Sequence, residues 1–333
     1  MKKGLTRIAG VIGKAFKVVC RPFVILILFF ARLTGLDKAR NRFIVGALSP
    51  ALLIYGFLVG VPLIQTFYYS LFRWRGVSTN MKFVGTKNLV EFAGDIHMRT
   101  VTINQTLLLV CGGLMIVMLA VSVAHALQNR TKLARTVQAI MLFPQVVSMV
   151  VIGIMWNYMW HPSYGLLLVG GKQLGVQFPR DGVLGSLYWA NAAILIAFVW
   201  HALGFYVMIF GAGLKNIDGE VMEAAEIDGA SGWVRFRRIS WPLLWSVKRV
   251  AIIYIVANVM GTFVLVQMMT KGGPDNATQV FLTYMYEKGY EQSQMGQASA
   301  IAVYSFLFAM VMGAVVWLVI GKNPERARRS RAI

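Results

Sequence analysis

Long apolar runs without charged residues constrain this chain more than any other feature of its sequence. Each run is long enough to cross a bilayer, which takes about 20 residues of helix. Because lipid offers the backbone no hydrogen-bond partners, runs of this length are expected to be helical. They predict an all-α fold, a polytopic membrane helical bundle with six core transmembrane helices: Ile44–Phe67, Ile103–Leu127, Ala139–Trp160, Ala190–Leu214, Val250–Met269 and Ala300–Ile320.

Composition and charge agree with a membrane protein. The chain has 333 residues, of which 57% are hydrophobic and 14% are charged, whereas a soluble domain carries about 25% charged residues. The net charge of +20 could indicate a nucleic-acid partner, but 24 of the 33 Lys and Arg residues lie in segments that would face the inside. This asymmetry is the positive-inside pattern. It predicts that both termini are cytoplasmic and that no nucleic acid is bound.

The first residues form a separate basic segment. The run Arg21–Arg32 is apolar for only about ten residues, which is short for a span. No small-residue cleavage site comes after it, as a signal peptide would require. We therefore expect residues 1–42 to be a cytoplasmic or interfacial helical extension against lipid headgroups, with a seventh span as the alternative. Residues 43–321 would be the transmembrane domain, and residues 322–333 a basic cytoplasmic tail.

The sequence shows no pattern typical of catalysis or metal binding. It has no phosphate-binding loop, no H-E-x-x-H and no C-x-x-C. The predicted spans contain no carboxylate and no base beyond His125 and His201, although ion-driven carriers usually keep such groups in the membrane. We predict no catalytic residue, no metal site and no cofactor bound by this chain. A self-contained channel or carrier and a membrane enzyme remain the alternatives.

One polar loop, residues 215–246, stands apart from the apolar runs. It contains the stretch EAAEIDGASGWVRFRRISWP from Glu223 to Pro242. Acidic residues at its start favour the positive end of a helix dipole. Gly229 suits a left-handed helix end, Ser231 could cap a second helix, and the proline would stop or kink the helix at that point. The pattern predicts helix, glycine corner and helix, either as a docking element or as an ordinary amphipathic connection on the headgroups.

The same stretch closely resembles the EAA loop of permease subunits in binding-protein-dependent ABC importers. The spacing from Glu223 through Gly229 to Pro242 matches that motif. The resemblance implies a type I importer fold, in which this loop is the coupling helix that sits in a cleft of the cytoplasmic ATPase. One departure is Asp218, near the place where the family often has a proline. The ATPase-coupling residues implied by the resemblance are Glu223, Ala224, Ala225, Asp228 and Gly229.

A second stretch, FVLVQMMTKGGPDNATQ from Phe263 to Gln279, resembles the sugar branch of the same family, the maltose-type permeases. The resemblance covers roughly Asn104 to Gly321. It implies the bacterial inner membrane and four kinds of partner: a second permease subunit, two copies of a cytoplasmic ABC ATPase holding ATP and Mg, an extracytoplasmic solute-binding protein, and a sugar or oligosaccharide. A basic first outer loop favours either an acidic solute or, equally, an acidic patch on the binding protein. Importers of non-sugar solutes, such as glycerol phosphate or polyamine, are the alternative.

Candidate solute contacts fall in the fourth and fifth predicted spans. Sugar sites combine aromatic faces with a few polar groups, and polar groups kept within spans are functional candidates. Asn258 and Thr262 are about one helical turn apart, so we expect them on one helix face. Helix packing and interhelical hydrogen bonds are the alternative roles. The match to the maltose-type permeases implies substrate-binding positions at Trp200, His201, Phe205, Asn258 and Thr262.

Overall fold

The computed structural model describes residues 39–77, 80–128, 131–179 and 181–319. Most of the predicted N-terminal extension and the whole predicted C-terminal tail lie outside the described residues. The described residues divide into two compact units, one that ends at Tyr68 and one that begins at Tyr69.

The regular structure is almost entirely helical. The first unit contains α1 (Ala39–Tyr55), a π-helical turn (Gly56–Gly60) and most of α2 (Val61–Ser70). In chain order, the remaining elements are β1 (Phe72–Arg73), β2 (Lys82–Phe83), α3 (Lys87–Ala93), α4 (Ile96–Leu107), α5 (Gly113–Ala126), α6 (Thr131–Val146), α7 (Met149–Met159), α8 (Leu166–Gln173), α9 (Trp189–Lys215), α10 (Gly219–Ile227), α11 (Gly232–Arg235), α12 (Trp241–Leu243), α13 (Trp245–Met260), α14 (Phe263–Met269), α15 (Phe281–Tyr286) and α16 (Met295–Val319). Three further π-helical turns are Leu108–Gly112, Phe236–Ser240 and Glu287–Glu291.

Within the described residues, four helical stretches are long and apolar enough to cross a membrane, and two bent helix pairs raise the number to six if each pair is one span. The first, second, fourth and sixth predicted spans are confirmed as continuous helical stretches. Their bounds are Gly46–Ser70, Ile96–Ala126, Trp189–Lys215 and Met295–Leu318.

The third predicted span is broken rather than continuous. Its two helices, Lys132–Val146 and Met149–Met159, meet at 98°. In an unbroken helix the carbonyl of Pro144 would accept a hydrogen bond from the backbone N–H of Ser148. Here Nδ1 of His201 lies 3.1 Å from that carbonyl instead, so a side chain from α9 satisfies the group that the break leaves open.

The fifth predicted span is also divided. Helix α13 ends at Met260 and α14 begins at Phe263. The hydroxyl of Thr262 donates to the carbonyl of Val259 over 2.9 Å, which closes the end of α13. The expectation that Asn258 and Thr262 share one helix face is therefore wrong, because the helix stops between them.

Helix α9 forms the centre of the second unit. Tyr206, Phe198 and Phe210 on this helix are fully buried. Helix α6 crosses α9 so closely that a Cβ atom on Gly204 would lie 1.9 Å from the carbonyl oxygen of Met141. The bundle has two ends. The EAA end carries residues 216–244, and the hairpin end carries residues 72–83 and 270–294.

Candidate functional site

The EAA end begins with α10, and its first turn matches the acidic pattern of the sequence. Oδ1 of Asp218 accepts a hydrogen bond from the backbone N–H of Glu220 over 3.1 Å, so Asp218 is the N-cap that α10 requires. Glu223 and Ala224 are exposed, whereas Ala225 is buried with 4% of its surface accessible. Of the predicted coupling residues on this helix, two therefore face outward and one packs inward.

The corner after α10 has the geometry predicted from its glycine. Gly229 has a φ of +74°, which an L side chain adopts only at a cost. The backbone N–H of Ala230 donates to the carbonyl of Ala225 over 2.9 Å, a bond typical of a helix that ends in a left-handed residue. A Cβ atom on Gly229 would meet nothing within 4 Å. Only its backbone conformation therefore requires glycine, and with exposed Asp228 it forms the tip of the corner.

The second short helix, α11, is held differently from the prediction. Ser231 occupies its N-cap position, but the side chain makes no capping hydrogen bond, so the expected serine cap is wrong. The serine carbonyl accepts the backbone N–H of Arg235 over 2.8 Å. The Arg235 guanidinium donates to Oε1 of Glu226 and forms an ion pair that joins α11 to α10.

The EAA loop then turns back into the bundle at Leu244. Helices Gly232–Leu243 and Trp245–Met260 meet at 70°. The predicted stop or kink at Pro242 thus falls two residues later, at Leu244. Leu244 is buried with 1% of its surface accessible. A Cβ atom on Gly213 would lie 2.9 Å from Cδ2 of Leu244, so this turn packs directly on the end of α9.

Two aromatic residues tie the same segment to neighbouring helices. The ring of Phe236 lies 4.7 Å from the ring of His125 at the end of α5. Nζ of Lys248 donates to the carbonyl of Trp241 over 2.7 Å and lies 4.2 Å from the centroid of its ring. The segment after the corner is therefore fixed to α5 and α13, and a force on it would reach both helices.

Large apolar side chains of the EAA loop are exposed. Ile227 is 88% exposed and Trp233 is 67% exposed, and Val221 and Val234 are also exposed. Because Glu223 and Ile227 are four residues apart on α10, they share one helix face. An exposed apolar side chain beside a carboxylate is typical of a protein contact site.

The candidate solute residues fall into separate groups. Trp200 is 39% exposed, and its ring meets the ring of Trp156 edge-on at 5.7 Å. Phe205 packs edge-on against Tyr206 at 5.3 Å. Nδ2 of Asn258 donates to the hydroxyl of the same Tyr206 over 2.9 Å. The structure thus brings Phe205 and Asn258 together around one tyrosine, whereas Trp200 faces α7.

His201 and Thr262 have internal partners. His201 is 8% exposed and Thr262 is 1% exposed. Because a carbonyl oxygen only accepts hydrogen bonds, Nδ1 of His201 must carry the proton in its contact with Pro144. These contacts lie at the break in the third span and at the end of α13.

Sequence reasoning did not assign a role to three asparagines that hold the loop at the hairpin end. Nδ2 of Asn104 donates to the carbonyls of Ala277 and Gln279 over 2.8 and 2.9 Å. Nδ2 of Asn191 donates to the same Ala277 carbonyl over 2.9 Å. Nδ2 of Asn157 donates to the carbonyl that ends α14, that of Met269, over 2.7 Å. Each asparagine lies in or beside an apolar run of the sequence, where its polar side chain requires a hydrogen-bond partner. That requirement was the signal that could have identified them.

The segment that these asparagines hold begins with the motif T-x-G-G-P, which runs from Thr270 to Pro274 in the stretch that resembles the sugar branch. The hydroxyl oxygens of Thr270 and Thr278 lie 2.8 Å apart, and Thr278 also donates to the carbonyl of Gly273 over 2.7 Å. Gly272 has a φ of +86°. The motif therefore builds a compact turn, and the asparagines fix that turn to three different helices.

A helical membrane bundle with a two-helix EAA loop is the arrangement expected of a transport permease, and comparison with protein families agrees. Residues 116–322 match the family described as "Binding-protein-dependent transport system inner membrane component". The chain belongs to this family. The matched residues include the whole EAA loop and the T-x-G-G-P turn, so the resemblance carried by these two motifs is confirmed.

Curated relatives extend the likeness over most of the chain. The diacetylchitobiose uptake system permease protein of Streptomyces coelicolor is 31% identical over 312 residues, covering 88% of this chain and 88% of the relative. The trehalose/maltose transport system permease protein of Thermococcus litoralis is 32% identical over 278 residues, covering 82% and 91%. Both alignments span far more than the two motifs.

A solved structure shares the fold. It is a bacterial ABC transporter involved in the import of the acidic polysaccharide alginate, and the match has a TM-score of 0.70 with 18% sequence identity. It covers 87% of this chain and 98% of the compared chain. At this identity the match concerns the fold alone, and it confirms the predicted all-α permease architecture.

Proposed function

We propose that this chain is a membrane subunit of an ABC importer that moves a sugar or oligosaccharide into the cell. The observation that carries the proposal is the EAA loop: a two-helix element that exposes Glu223, Ile227 and Trp233 and is itself attached to α5, α9 and α13. Such an element can receive a force from a docked partner and pass it to the spans. Sugar import is supported by the relatives, which are saccharide permeases by name.

The energy for transport comes from partner subunits in this proposal. Two cytoplasmic ABC ATPases bind ATP and Mg, and one of them receives the EAA loop in a cleft. The coupling residues are Glu223, Ala224, Ala225, Asp228 and Gly229. ATP binding favours one of two conformations of the membrane part, because the docked loop contacts the ATPase differently in each. The chain itself hydrolyses nothing.

The EAA end faces the cytoplasm in this account. The loop and its flanks carry Arg235, Arg237 and Arg238, and cytoplasmic loops are enriched in such residues. Both termini then lie in the cytoplasm, and the hairpin end faces outward. A second permease subunit completes the pathway there, and an extracytoplasmic binding protein delivers the solute.

Within the pathway we place solute contacts at Trp200, Phe205 and Asn258. Trp200 offers a partly exposed aromatic face, and stacking of apolar sugar faces on such rings is a common recognition mode. Asn258 offers a carbonyl oxygen beside the Tyr206 hydroxyl. His201 and Thr262 would act through the shape of the same helices, since both already bond to the backbone.

The proposal is tested by the ATPase activity of the assembled importer in liposomes. The experiment adds the binding protein and a panel of neutral and acidic oligosaccharides. Stimulation by one saccharide is expected, and it would name the solute class. An assembled complex that no saccharide stimulates, but that another solute does, would contradict the sugar assignment and leave the coupling loop unaffected.

A further inference from the structure

A wide cleft opens at the hairpin end, between the β1–β2 hairpin and the segment that leads into α16. Its volume is about 1010 Å³, at the upper end of the range for ligand sites. The side chains that line it include Arg73, Trp74, Arg75, Lys82, Gln294 and Gln297. None of the candidate solute residues in the spans lines it, so it is a separate feature of the molecule.

The cleft concentrates positive charge. Among the described residues that line it, none is acidic. Within the described ranges, the one ion pair joins Glu226 to Arg235 at the EAA end. Arg73 and Lys82 are direct partners across the hairpin, and like charges opposite each other destabilise a strand pair. This like-charge pair therefore lowers the stability of the hairpin, and an anion bound between the two cations would offset that cost.

The cleft is held rigidly. Asn88 is buried and its Nδ2 donates to the carbonyls of Ser70 and Phe72 over 2.8 and 3.0 Å. The backbone N–H of Gly296 donates to the carbonyl of Trp74 over 3.1 Å, and a Cβ atom on Gly296 would lie 1.9 Å from the carbonyl oxygen of Phe72. The hairpin thus rests directly on the start of α16, which fixes the backbone that carries the cations.

We propose that this cleft binds an anionic oligosaccharide, one that carries carboxylate or sulfonate groups. Guanidinium groups match the two oxygens of such anions. The amides of Gln294 and Gln297 can donate to and accept from hydroxyls, and the indole of Trp74 gives an aromatic wall. A concave site with these groups fits a polyhydroxylated ligand better than the flatter surface of a protein partner. The cleft would receive the solute at the hairpin end, and this role rests on the proposed importer function.

Direct binding tests this site without any ATPase. The purified chain in phosphatidylcholine nanodiscs is titrated with tetragalacturonate, and with neutral maltotetraose as the comparison, by isothermal titration calorimetry. We expect saturable binding of tetragalacturonate alone. The double variant Arg73→Gln/Arg75→Gln should bind it about tenfold more weakly, whereas Lys172→Gln, at an exposed lysine away from the cleft, should bind it as the wild type does.

Three results would overturn the assignment. They are no binding of tetragalacturonate at millimolar concentration, equal binding of both saccharides, and unchanged affinity in the double variant. If the chain binds no saccharide and the double variant weakens docking of the binding protein, the cleft would instead be a contact site for that protein. If the chain binds no saccharide, and phosphatidylglycerol stays bound in native mass spectrometry only while Arg73 and Arg75 are present, the cleft would instead be a lipid site. If saccharide transport occurs while nanodisc binding fails, only this site is refuted.

Thermal unfolding of the double variant is the folding control. Loss of Arg73 removes the like-charge pair with Lys82, so the variant should unfold no earlier than the wild type. Weaker binding by a variant of unchanged stability would then come from the lost cations.

Discussion

Arg235 in α11 forms an ion pair with Glu226 in α10, across the corner made by Gly229. Glu226 is 68% exposed, so solvent screens this pair and its contribution is modest, on the order of 0.2–1 kcal/mol. A non-glycine residue at a left-handed position costs about 1–2 kcal/mol. The backbone of Gly229, more than the ion pair, therefore sets the angle between the two helices.

The first prediction concerns that corner. Gly229→Ala should strain the EAA loop by about 1 kcal/mol and lower solute-stimulated ATPase activity of the assembled importer. Gly232→Ala is the matched control, because Gly232 lies in α11, has no positive φ and has no atom within 4 Å of an added Cβ. Equal activity of the two variants would contradict a role for the corner's angle.

The second prediction concerns the crossing of α6 and α9. Gly204→Ala places a Cβ atom 1.9 Å from the Met141 carbonyl oxygen, and overpacking of this kind costs about 1–3 kcal/mol. The variant should unfold at a lower temperature in detergent. Gly313→Ala, where an added Cβ meets nothing within 4 Å, should unfold like the wild type. A shift of the same size in both variants would show that the close crossing is not maintained.

The third prediction concerns the asparagines at the hairpin end. Asn104→Ala removes two hydrogen bonds: the Gln279 carbonyl loses its donor, and the Ala277 carbonyl keeps only the one from Asn191, whereas Asn157→Ala affects only the Met269 carbonyl. At about 0.6 kcal/mol for each such bond, Asn104→Ala should be the more destabilising. Hydrogen exchange measured by mass spectrometry should accelerate in residues 270–279. Unchanged exchange there in Asn104→Ala would refute the anchoring role.

The fourth prediction concerns pH at the hairpin end. Burial, and then a hydrogen bond to Asp95, raise the pKa of the Tyr284 hydroxyl well above its ordinary value. The hydroxyl donates to Oδ2 of Asp95 over 2.6 Å. A raised pKa favours the neutral form, so this stabilisation is complete below the unfolded pKa near 10 and is lost only as pH rises through the higher folded value. The stability difference between wild type and Tyr284→Phe should therefore stay constant from pH 7 to 9; a difference that vanishes in this range would refute the bond.

The spans and the EAA loop could be predicted because their signals are local. Absence of charge over about 20 residues defines a span, and a glycine after an acidic helix defines the corner at Gly229. A proline at position 144 favours a kink in the third span, but a full break does not follow from it, and the His201 side chain that satisfies the Pro144 carbonyl lies 57 positions away. The division at Thr262 depends on a turn bond to Val259 that no apolar pattern shows.

The candidate site was predictable only in part for the same reason. The predicted coupling residues form one contiguous motif, and the structure presents them as one element. The solute candidates came from positions on two helices, and whether such residues meet depends on how α9 and α13 pack. Tyr206 contacts both Phe205 and Asn258. In the sequence it is only another residue of an apolar run, and nothing there indicates these contacts.

The central claim is that the EAA loop transmits the work of a partner ATPase to the spans. The most direct measurement is ATP-dependent saccharide uptake into liposomes by an importer that carries Glu223→Lys, compared with Glu291→Lys, the same charge change at an exposed residue of the hairpin end. We expect Glu223→Lys to abolish uptake while the protein stays in the membrane, and Glu291→Lys to transport normally. Normal uptake by Glu223→Lys, or uptake by the chain alone without ATPase subunits, would contradict the account.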